Sequence, residues 1–320
     1  MIASGSVSEL LFLSRAEVVA LLDMDALFEA LERALIDLSS GRAVVPPRVA
    51  ALAPGGLLGV MPGYLPGTAL EAKLVTVYPG NRDRALPSHQ GLIAMFDEES
   101  GEPLAVMDAA HITAVRTAAA SAVAARALAL PGGRVLAVLG AGVQGGSHVD
   151  AYTRALAFEE IRITSRNPAH ARALAGRVPE GRAVDSFEEA VRGADVVCCC
   201  TDAAEPVISA EWLGEGAHVS SVGSGRELDP ETVARGSVFV EWKGAVENLP
   251  PAGAHEFRGL DPASVTEVGE VLAGAHPGRR SVEELTVYKS TGHAVEDAAA
   301  ARLVYDRAKL MGVGTVVSLG

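Results

Sequence analysis

This sequence is poor in aromatic residues, carries no excess of positive charge and contains no long apolar run. Of its 320 residues only 4% are aromatic, and the formal net charge is −13. A negative chain is a poor partner for nucleic acid or an anionic membrane, and no apolar run approaches the roughly 20 residues of a membrane span. The opening segment, MIASGSVSELLFLSRAE, lacks the basic start of a signal peptide. We therefore expect a cytoplasmic protein with neither nucleic acid nor membrane as partner.

Cysteine is limited to three consecutive residues, Cys198 to Cys200, at the end of an apolar run. Neighbours along a strand point to opposite faces, so these cysteines indicate neither a disulfide framework nor a metal site. We interpret them as core residues in a reducing compartment. The remaining composition, 49% apolar and rich in Ala, Val, Leu and Gly, is typical of an α/β protein, and 320 residues suffice for two domains.

A glycine-rich turn lies at the centre of the chain. The apolar run Val135–Leu139 predicts a buried strand, Gly140, Gly142 and Gly145 follow in the spacing G-x-G-x-x-G, and a helix-forming segment leads to a second strand at Ile161–Thr164. This is the context that a dinucleotide fingerprint requires, because glycines permit the tight turn and the close approach of the backbone to a pyrophosphate. The free N–H groups at the helix start would face the phosphates. We assign these glycines to cofactor binding, together with Val143 and Gln144.

The residues after the second strand indicate which dinucleotide is bound. A carboxylate about 20 residues past the glycines would bind the ribose 2′-hydroxyl of NAD. This chain has Ser165, Arg166 and Asn167 there. A hydroxyl, a guanidinium and an amide suit a 2′-phosphate, so the sequence favours NADP(H), with NAD(H) as the alternative; Arg166 could instead stack on adenine or lie in solvent.

The patterns on either side of the fingerprint differ in kind. Two helices within residues 14–39 precede strands at 48–52, 57–64, 70–78, 92–96 and 104–107, which predicts an α+β domain. An alanine-rich helix follows at 109–130. Further strands at 195–200, 218–222, 238–242 and 285–289 alternate with helices and predict a Rossmann-type doubly wound parallel sheet. We expect a last, amphipathic helix, from about His293 to Met311, to return to the first domain and close the cleft.

Three cations stand among apolar residues of the first domain. Arg48 follows two prolines, Lys73 lies within a strand, and Arg116 lies on the alanine-rich helix. A buried cation is costly unless it is paired. The three would form a clamp for a carboxylate if they converge on a cleft, whereas each alone could equally belong to a surface or intramolecular ion pair.

Nearly the whole chain resembles one known family. The segments RVAALAPGGLLGVMPGYLPGTALEAKLVTVYPGN, LPSHQGLIAMFDEESGEPLAVMDAAHITAVRTAAASAVAA, LGAGVQG and VYKSTGHAVEDAAAARLVYDRA occur in the order typical of the ornithine cyclodeaminase/μ-crystallin family. The resemblance implies a homodimer formed through the non-Rossmann domain. It also implies that a substrate carboxylate meets Arg48, Lys73 and Arg116, and that the nicotinamide lies between the domains near Thr291 to His293.

These expectations define the domains and the rest of the candidate site. Residues 1–115 with 300–320 are assigned to a substrate-binding and dimerisation domain and 116–299 to the Rossmann domain, with 116–130 as the connecting helix. Lys73 is the best candidate for the proton donor, because a desolvated ammonium can bind a carboxylate and release a proton. Ser224, just past a strand, could donate a hydrogen bond to substrate or water, or be a turn residue. The further cofactor candidates are Thr117, Thr201, Gly292 and His293.

Members of the resembled family catalyse different reactions, including cyclodeamination, amino acid dehydrogenation and imine reduction. The cyclodeaminases carry an aspartate in the loop that corresponds to residues 220–231 and a glutamate two residues before the match to Met61. This chain has Gly59 at the second position, and Asp229 belongs to a turn that other members share. We therefore expect NAD(P)H-dependent reduction of a 2-imino acid, or the reverse dehydrogenation. The alternatives are an NAD-dependent ornithine cyclodeaminase and a non-catalytic NADP(H)-binding protein.

Overall fold

The computed structural model describes residues 9–84, 86–223 and 225–320, without the side chains of Arg82 and Asp83. Residues 1–8, on which the expected absence of a signal peptide partly rests, and the candidate Ser224 lie outside that description. The chain divides into two units. The first contains the residues up to Asp37 with Gly41–Arg116 and His293–Gly320, and the second contains Leu38–Ser40 and Thr117–Gly292.

The described residues form fifteen strands and ten helices. The strands are β1 (Glu9–Leu13), β2 (Val49–Ala53), β3 (Gly56–Leu65), β4 (Ala69–Val77), β5 (His89–Phe96), β6 (Pro103–Asp108), β7 (Val135–Leu139), β8 (Glu160–Thr164), β9 (Gly181–Ala183), β10 (Val196–Cys199), β11 (His218–Ser221), β12 (Ser237–Val240), β13 (Thr266–Glu267), β14 (Thr286–Lys289) and β15 (Thr315–Ser318). The helices are α1 (Arg15–Leu21), α2 (Met24–Ser39), α3 (Ala109–Leu128), α4 (Val143–Ala155), α5 (Pro168–Ala175), α6 (Phe187–Val191), α7 (Pro230–Arg235), α8 (Gly244–Glu247), α9 (Val268–Leu272) and α10 (Ala294–Met311). No helix among these residues is long and apolar enough to cross a membrane.

The sheet of the first unit is mixed. Its order is β15-β1-β6-β5-β4-β3-β2, and every neighbouring pair is antiparallel except β1 with β6. Side chains along β4 alternate between the two faces, so Glu71 and Lys73 share the buried face. Helix α10 packs against β3, β4 and β5. The opposite face carries partly exposed apolar side chains, among them Leu58, Leu74 and Leu92.

Two features of this unit differ from the expectation. Strands β1 and β15 were not predicted, because they are short and their partners lie far along the chain. Helix α10 was expected to be amphipathic, and this is wrong for its first two turns, since every residue of Ala294–Ala301 is buried. Its early acidic residues, Glu296 and Asp297, are buried because they pair with cations. The helix ends at Gly312, whose φ of +64° turns the chain back towards β15.

The sheet of the second unit is entirely parallel, in the order β13-β12-β14-β11-β10-β7-β8-β9. The chain leaves β7 towards β8 and β9 on one side and resumes at β10 on the other side. This reversal between β7 and β10 is the switch point at which doubly wound sheets bind their ligands. The predicted Rossmann-type fold is thereby confirmed.

The three cysteines lie on and directly after β10 and are buried free thiols. Burial raises the pKa of the Cys198 thiol to about 12, and a hydrogen bond with Tyr152 only partly offsets this rise. The thiols therefore stay protonated at neutral pH and pack as small apolar side chains.

Candidate active site

Each glycine of the fingerprint is needed for its own reason, which the space around its Cα atom shows. Gly140 has a φ of +111°, and a Cβ there would lie 2.6 Å from the Cys200 carbonyl oxygen. At Gly145 a Cβ would lie 1.9 Å from the Gly140 carbonyl oxygen. Gly142 is different, because no described atom lies within 4 Å of the position its Cβ would take. Protein packing therefore explains the first two glycines, whereas the open space at Gly142 fits a pyrophosphate approaching the backbone.

Gly142 is also the N-cap residue of α4, and it has no side chain to accept a hydrogen bond from the first turn. The N–H groups at a helix start attract anions when no cap satisfies them. Val143, the first helical residue, is exposed, and Gln144 follows it. The turn and helix start therefore fit the phosphates of a dinucleotide, with Val143 and Gln144 contributing backbone.

The segment after β8 is held by its own hydrogen bonds. The Asn167 Oδ1 atom accepts from the Ala169 N–H at 3.0 Å and caps α5, and the Ser165 Oγ atom accepts from the Asn167 N–H at 3.4 Å. Arg166 is largely exposed, and its guanidinium lies 3.5 Å from the Asp202 carboxylate. The amide of Asn167 is thus engaged in structure, while the Ser165 hydroxyl and the Arg166 guanidinium lie at the position expected for the ribose substituents.

A buried glutamate ties together the ends of two parallel strands. The Glu227 Oε1 atom accepts from the Thr201 N–H at 2.6 Å and from its hydroxyl at 2.8 Å. Its Oε2 atom accepts from the Ser221 hydroxyl at 2.7 Å and the Gly223 N–H at 2.8 Å. The Lys289 ammonium, at the end of β14, donates to the Ser221 hydroxyl at 2.9 Å and the Gly223 carbonyl at 2.8 Å. Thr201 is therefore held in place beside the fingerprint strand.

A second buried glutamate accepts hydrogen bonds from the segment that follows β14. Glu241 accepts from the Ser290 hydroxyl and from the N–H groups of Thr291 at 3.2 Å and Gly292 at 2.9 Å. Gly292 has a φ of +72°, which favours glycine. Sequence reasoning missed both Glu227 and Glu241. The available signal was a carboxylate close to a strand end amid apolar and glycine residues.

In the first unit the structure pairs two of the three predicted cations with the same carboxylate. The Lys73 ammonium lies 2.7 Å from Asp297 Oδ2, and the Arg116 Nε atom lies 2.8 Å from Asp297 Oδ1. Arg116 also reaches Glu296 Oε2 at 2.6 Å. All four side chains are at most 3% exposed. The alternative of an intramolecular ion pair therefore holds for Lys73 and Arg116, and the cations still form one cluster.

Electrostatics extend this cluster to Arg48 and His293. Burial lowers the pKa of Lys73 to about 8; Asp297 opposes this shift, and the charges of Arg116 and Arg48 add to it. Burial, aided by Arg48, lowers the pKa of His293 to about 3, so its imidazole is neutral. Burial also acts on Asp297, but Arg116 and Lys73 hold the pKa of that carboxyl below its usual value. Lys73 is thus mainly an ammonium at pH 7 and lies close to its point of proton release.

The cluster combines buried cations with carboxylates. Lys73 and Arg116 pair with Asp297, and Arg116 also pairs with Glu296. The charge of Arg48 acts on Lys73 and on His293. Burial, and then the charge of Asp297, raise the pKa of Glu71 well above its usual value. Cations gathered at a buried site suit a ligand with a carboxylate.

The structure also describes the surroundings of Asp229, His89 and Gly59. Asp229 caps α7 by accepting from the Thr232 N–H at 3.1 Å, as expected for a turn residue. His89 is exposed and lies 3.1 Å from the Ser88 hydroxyl. A Cβ at Gly59 would make only ordinary contacts, with Val75 at 3.4 Å. No group of three or more potential metal ligands occurs in the described part of the chain.

A doubly wound parallel sheet with a glycine fingerprint, together with a further unit that buries a cluster of cations and carboxylates, defines a nucleotide-dependent oxidoreductase of the amino acid dehydrogenase class. Residues 8–311 match the model of the ornithine cyclodeaminase/mu-crystallin family. The chain belongs to this family, and the predicted resemblance is confirmed.

Individual relatives match over almost their full length. The chain is 42% identical to the ketimine reductase mu-crystallin of Mus musculus over 311 residues, which cover 92% of this chain and 96% of that protein. It superposes with a TM-score of 0.90 on the Delta(1)-pyrroline-2-carboxylate reductase of Thermococcus litoralis in complex with NADH and L-proline, at 35% identity, covering 96% of this chain and 99% of that one. An archaeal alanine dehydrogenase dimer with bound NAD gives a TM-score of 0.88 at 32% identity, covering 98% and 100%.

Proposed function

We propose that this protein is an NAD(P)H-dependent reductase of 2-imino acids, which also catalyses the reverse dehydrogenation of the amino acid. The observation that carries the proposal is the buried cluster around Asp297, in which Lys73 and Arg116 meet one carboxylate and the charge of Arg48 acts on Lys73. A substrate with a carboxylate next to an imine matches these cations and the proton that Lys73 can release. The relatives named as ketimine and pyrroline-2-carboxylate reductases act on substrates of this kind.

The residues of the first unit bind the substrate and manage its proton. Arg116 is held in a fixed orientation by Glu296 and Asp297. With Arg48 and Lys73 it binds the carboxylate of the imino acid. Lys73 donates a proton to the imine nitrogen, since its pKa of about 8 leaves it charged yet able to release that proton. A bound nicotinamide supplies the hydride for reduction and accepts one in the reverse direction.

The residues of the second unit bind the dinucleotide. Gly140, Gly142 and Gly145 receive the pyrophosphate with the backbone of Val143 and Gln144. NADP(H) is the preferred form, because Ser165 and Arg166 follow β8 where NAD-binding chains place an acid. The other proposed cofactor contacts in this unit are Thr117, Asn167, Thr201 and Gly292, and His293 is proposed from the first unit.

The direct test is a panel of imines assayed at the reduced-nicotinamide absorbance band with NADPH and NADH in parallel. The substrates are pyrroline-2-carboxylate, piperideine-2-carboxylate, and pyruvate or glyoxylate with ammonia or methylamine. We expect turnover with at least one cyclic imine, about tenfold faster with NADPH. The variant Arg166→Ala should lower the ratio of the rate with NADPH to the rate with NADH without abolishing turnover. A flat trace with both nucleotides, combined with ammonia release from L-ornithine in the absence of added reductant, would overturn the proposal in favour of a cyclodeaminase.

The free face of the first sheet supports a homodimer. Leu58, Leu74 and Leu92 are at least 37% exposed on that face, on the adjacent strands β3, β4 and β5. Apolar patches of this kind mark interaction surfaces, and an archaeal relative is a dimer. Sedimentation should give twice the 32.9 kDa chain mass. The variant Leu74→Glu should sediment as a monomer, whereas the control Leu310→Glu, at an exposed position on α10, should not. A wild-type monomer at micromolar concentration would contradict the dimer.

A further inference from the structure

A second carboxyl group shares the buried face of β4 with Lys73. Glu71 lies two residues before Lys73 and is 2% exposed. Neither of its carboxyl oxygens has a hydrogen-bond partner among the described residues. On β3, the residue directly opposite is Gly63. A Cβ at Gly63 would lie 2.9 Å from the Ala294 Cβ atom and 3.4 Å from Glu71 Oε1, so the glycine leaves the room that the carboxyl occupies beside the start of α10.

An ionised carboxylate in that position would be costly, because nothing described donates a hydrogen bond to it. Burial, and then the charge of Asp297, raise the pKa of Glu71 well above its usual value, while Lys73 and Arg116 oppose the rise. The protonated form is therefore favoured at this position. Glutamine or methionine would fill the same space without the capacity to lose a proton.

Among the described residues, the charges that act on this carboxyl belong to the cation cluster. They are Lys73 on its own strand, Arg116 on α3 and Asp297 on α10, and Glu296 enters only through its ion pair with Arg116. Arg48 and His293 act on the same cluster through Lys73 and Asp297. The buried neighbours on the adjacent strands, Gly63 on β3 and Met95 on β5, carry no charge.

We propose that Glu71 is a positioning residue for proton chemistry: its carboxyl shares the buried face of β4 with Lys73 and, once ionised, holds Lys73 in its ammonium form. A negative charge two residues away on the same strand face raises the cost of deprotonating Lys73, so the two groups affect each other's titration. The protonated carboxyl adds no charge to the cluster, whereas the ionised carboxylate keeps Lys73 competent to bind a carboxylate and to donate a proton. This role rests on the proposed function.

The test is the pH profile of kcat/KM for imine reduction between pH 6 and pH 10. Glu71→Gln keeps the size and the neutral form of the side chain, and Glu99→Gln, at the exposed turn between β5 and β6, is the matched control. We expect kcat/KM of Glu71→Gln to stay within about threefold of the wild-type value at pH 6. Its decline at alkaline pH should have a midpoint about one pH unit lower than that of wild type. The control should follow the wild-type profile. An unchanged alkaline limb, or an equal loss at every pH, would overturn the role.

A second measurement separates this role from the proposed function. The chain has four lysines, Lys73, Lys243, Lys289 and Lys309, so carbon-13 labelling at lysine Cε resolves the titration of Lys73 by NMR, with Lys73→Met for assignment. Glu71→Gln should lower the midpoint of that titration by about one pH unit, and Glu71→Met, a second neutral variant should the first fold poorly, should do the same. If the midpoint shifts but the protein turns over no imine, the proposed function is contradicted and the effect of Glu71 on Lys73 is supported. If the midpoint does not shift in an active enzyme, only the role of Glu71 is contradicted.

Discussion

Replacing Lys73 with methionine is expected to lower kcat/KM for imine reduction by at least about 10²-fold while the affinity for NADPH stays within about twofold of wild type. Truncating one partner of a desolvated charge pair costs roughly 2–5 kcal/mol, and each 1.4 kcal/mol is a factor of ten. We expect kcat to fall and KM to rise, because the same ammonium binds the carboxylate and donates the proton. The nucleotide fingerprint lies in the other unit, which is why its affinity should not change.

Methionine is the informative substitution because it preserves the volume of a side chain that is only 2% exposed. Asp297 keeps Arg116 as its partner in the variant, so no buried carboxylate loses all compensation. Replacing Arg116 would remove the partner of Glu296 and Asp297 at once and mix activity with folding. Lys309→Met, near the exposed end of α10, is the matched control and should behave as wild type. If kcat/KM of Lys73→Met for imine reduction with NADPH stays within about threefold of the wild-type value, Lys73 takes no part in substrate binding.

The sequence predicted what depends on local pattern. The glycines of the fingerprint stand within six residues of each other, and the strand, turn and helix around them follow from short-range rules. The bounds of β7 agree with the prediction residue for residue. The cations Lys73 and Arg116 could be named because a charge amid apolar residues is conspicuous in any sequence.

Pairing across long stretches of chain could not be predicted in the same way. Asp297 joins Lys73 and Arg116 across about 180 positions or more, and no periodicity encodes such a contact. A carboxylate at the start of a helix, such as Glu296 or Asp297, is not distinguishable in the sequence from an ordinary first-turn acid until the fold shows that the turn is buried. The roles of Glu227 and Glu241 were hidden for a related reason. Both mostly bind backbone N–H and hydroxyl groups, which every segment offers.

Burial of titratable groups also makes the second unit sensitive to acid. Its stability should fall by about 4 kcal/mol between pH 7 and pH 5, because two histidines are buried in neutral form. Burial lowers the pKa of His148 to about 4, and burial with the charge of Arg279 lowers the pKa of His218 to about 3. Each titrates near 6.5 in the unfolded chain.

The sign follows from proton uptake. Above pH 6.5 both histidines are neutral in the folded and the unfolded chain and have no effect. As the pH falls from 6.5 to 5, only the unfolded chain binds the two protons, so the free energy of unfolding drops by about 2 kcal/mol per histidine. Glu160 and Glu284, whose hydrogen bonds lower their pKa values against the effect of burial, act in the same direction but only below 4.5. The interval from pH 7 to pH 5 therefore isolates the histidines.

Urea unfolding followed by tryptophan fluorescence measures this loss, since both tryptophans, Trp212 and Trp242, lie in the second unit. His148→Leu removes one titrating group from α4 and should reduce the loss between pH 7 and pH 5 by about half. His170→Gln, at an exposed position on α5, should leave it unchanged. Equal unfolding free energies at the two pH values, or a loss that His148→Leu does not alter, would show that these imidazoles accept protons within the folded chain. A unit that buries two histidines in neutral form therefore has its full stability near pH 7 and loses part of it whenever the solution becomes acidic.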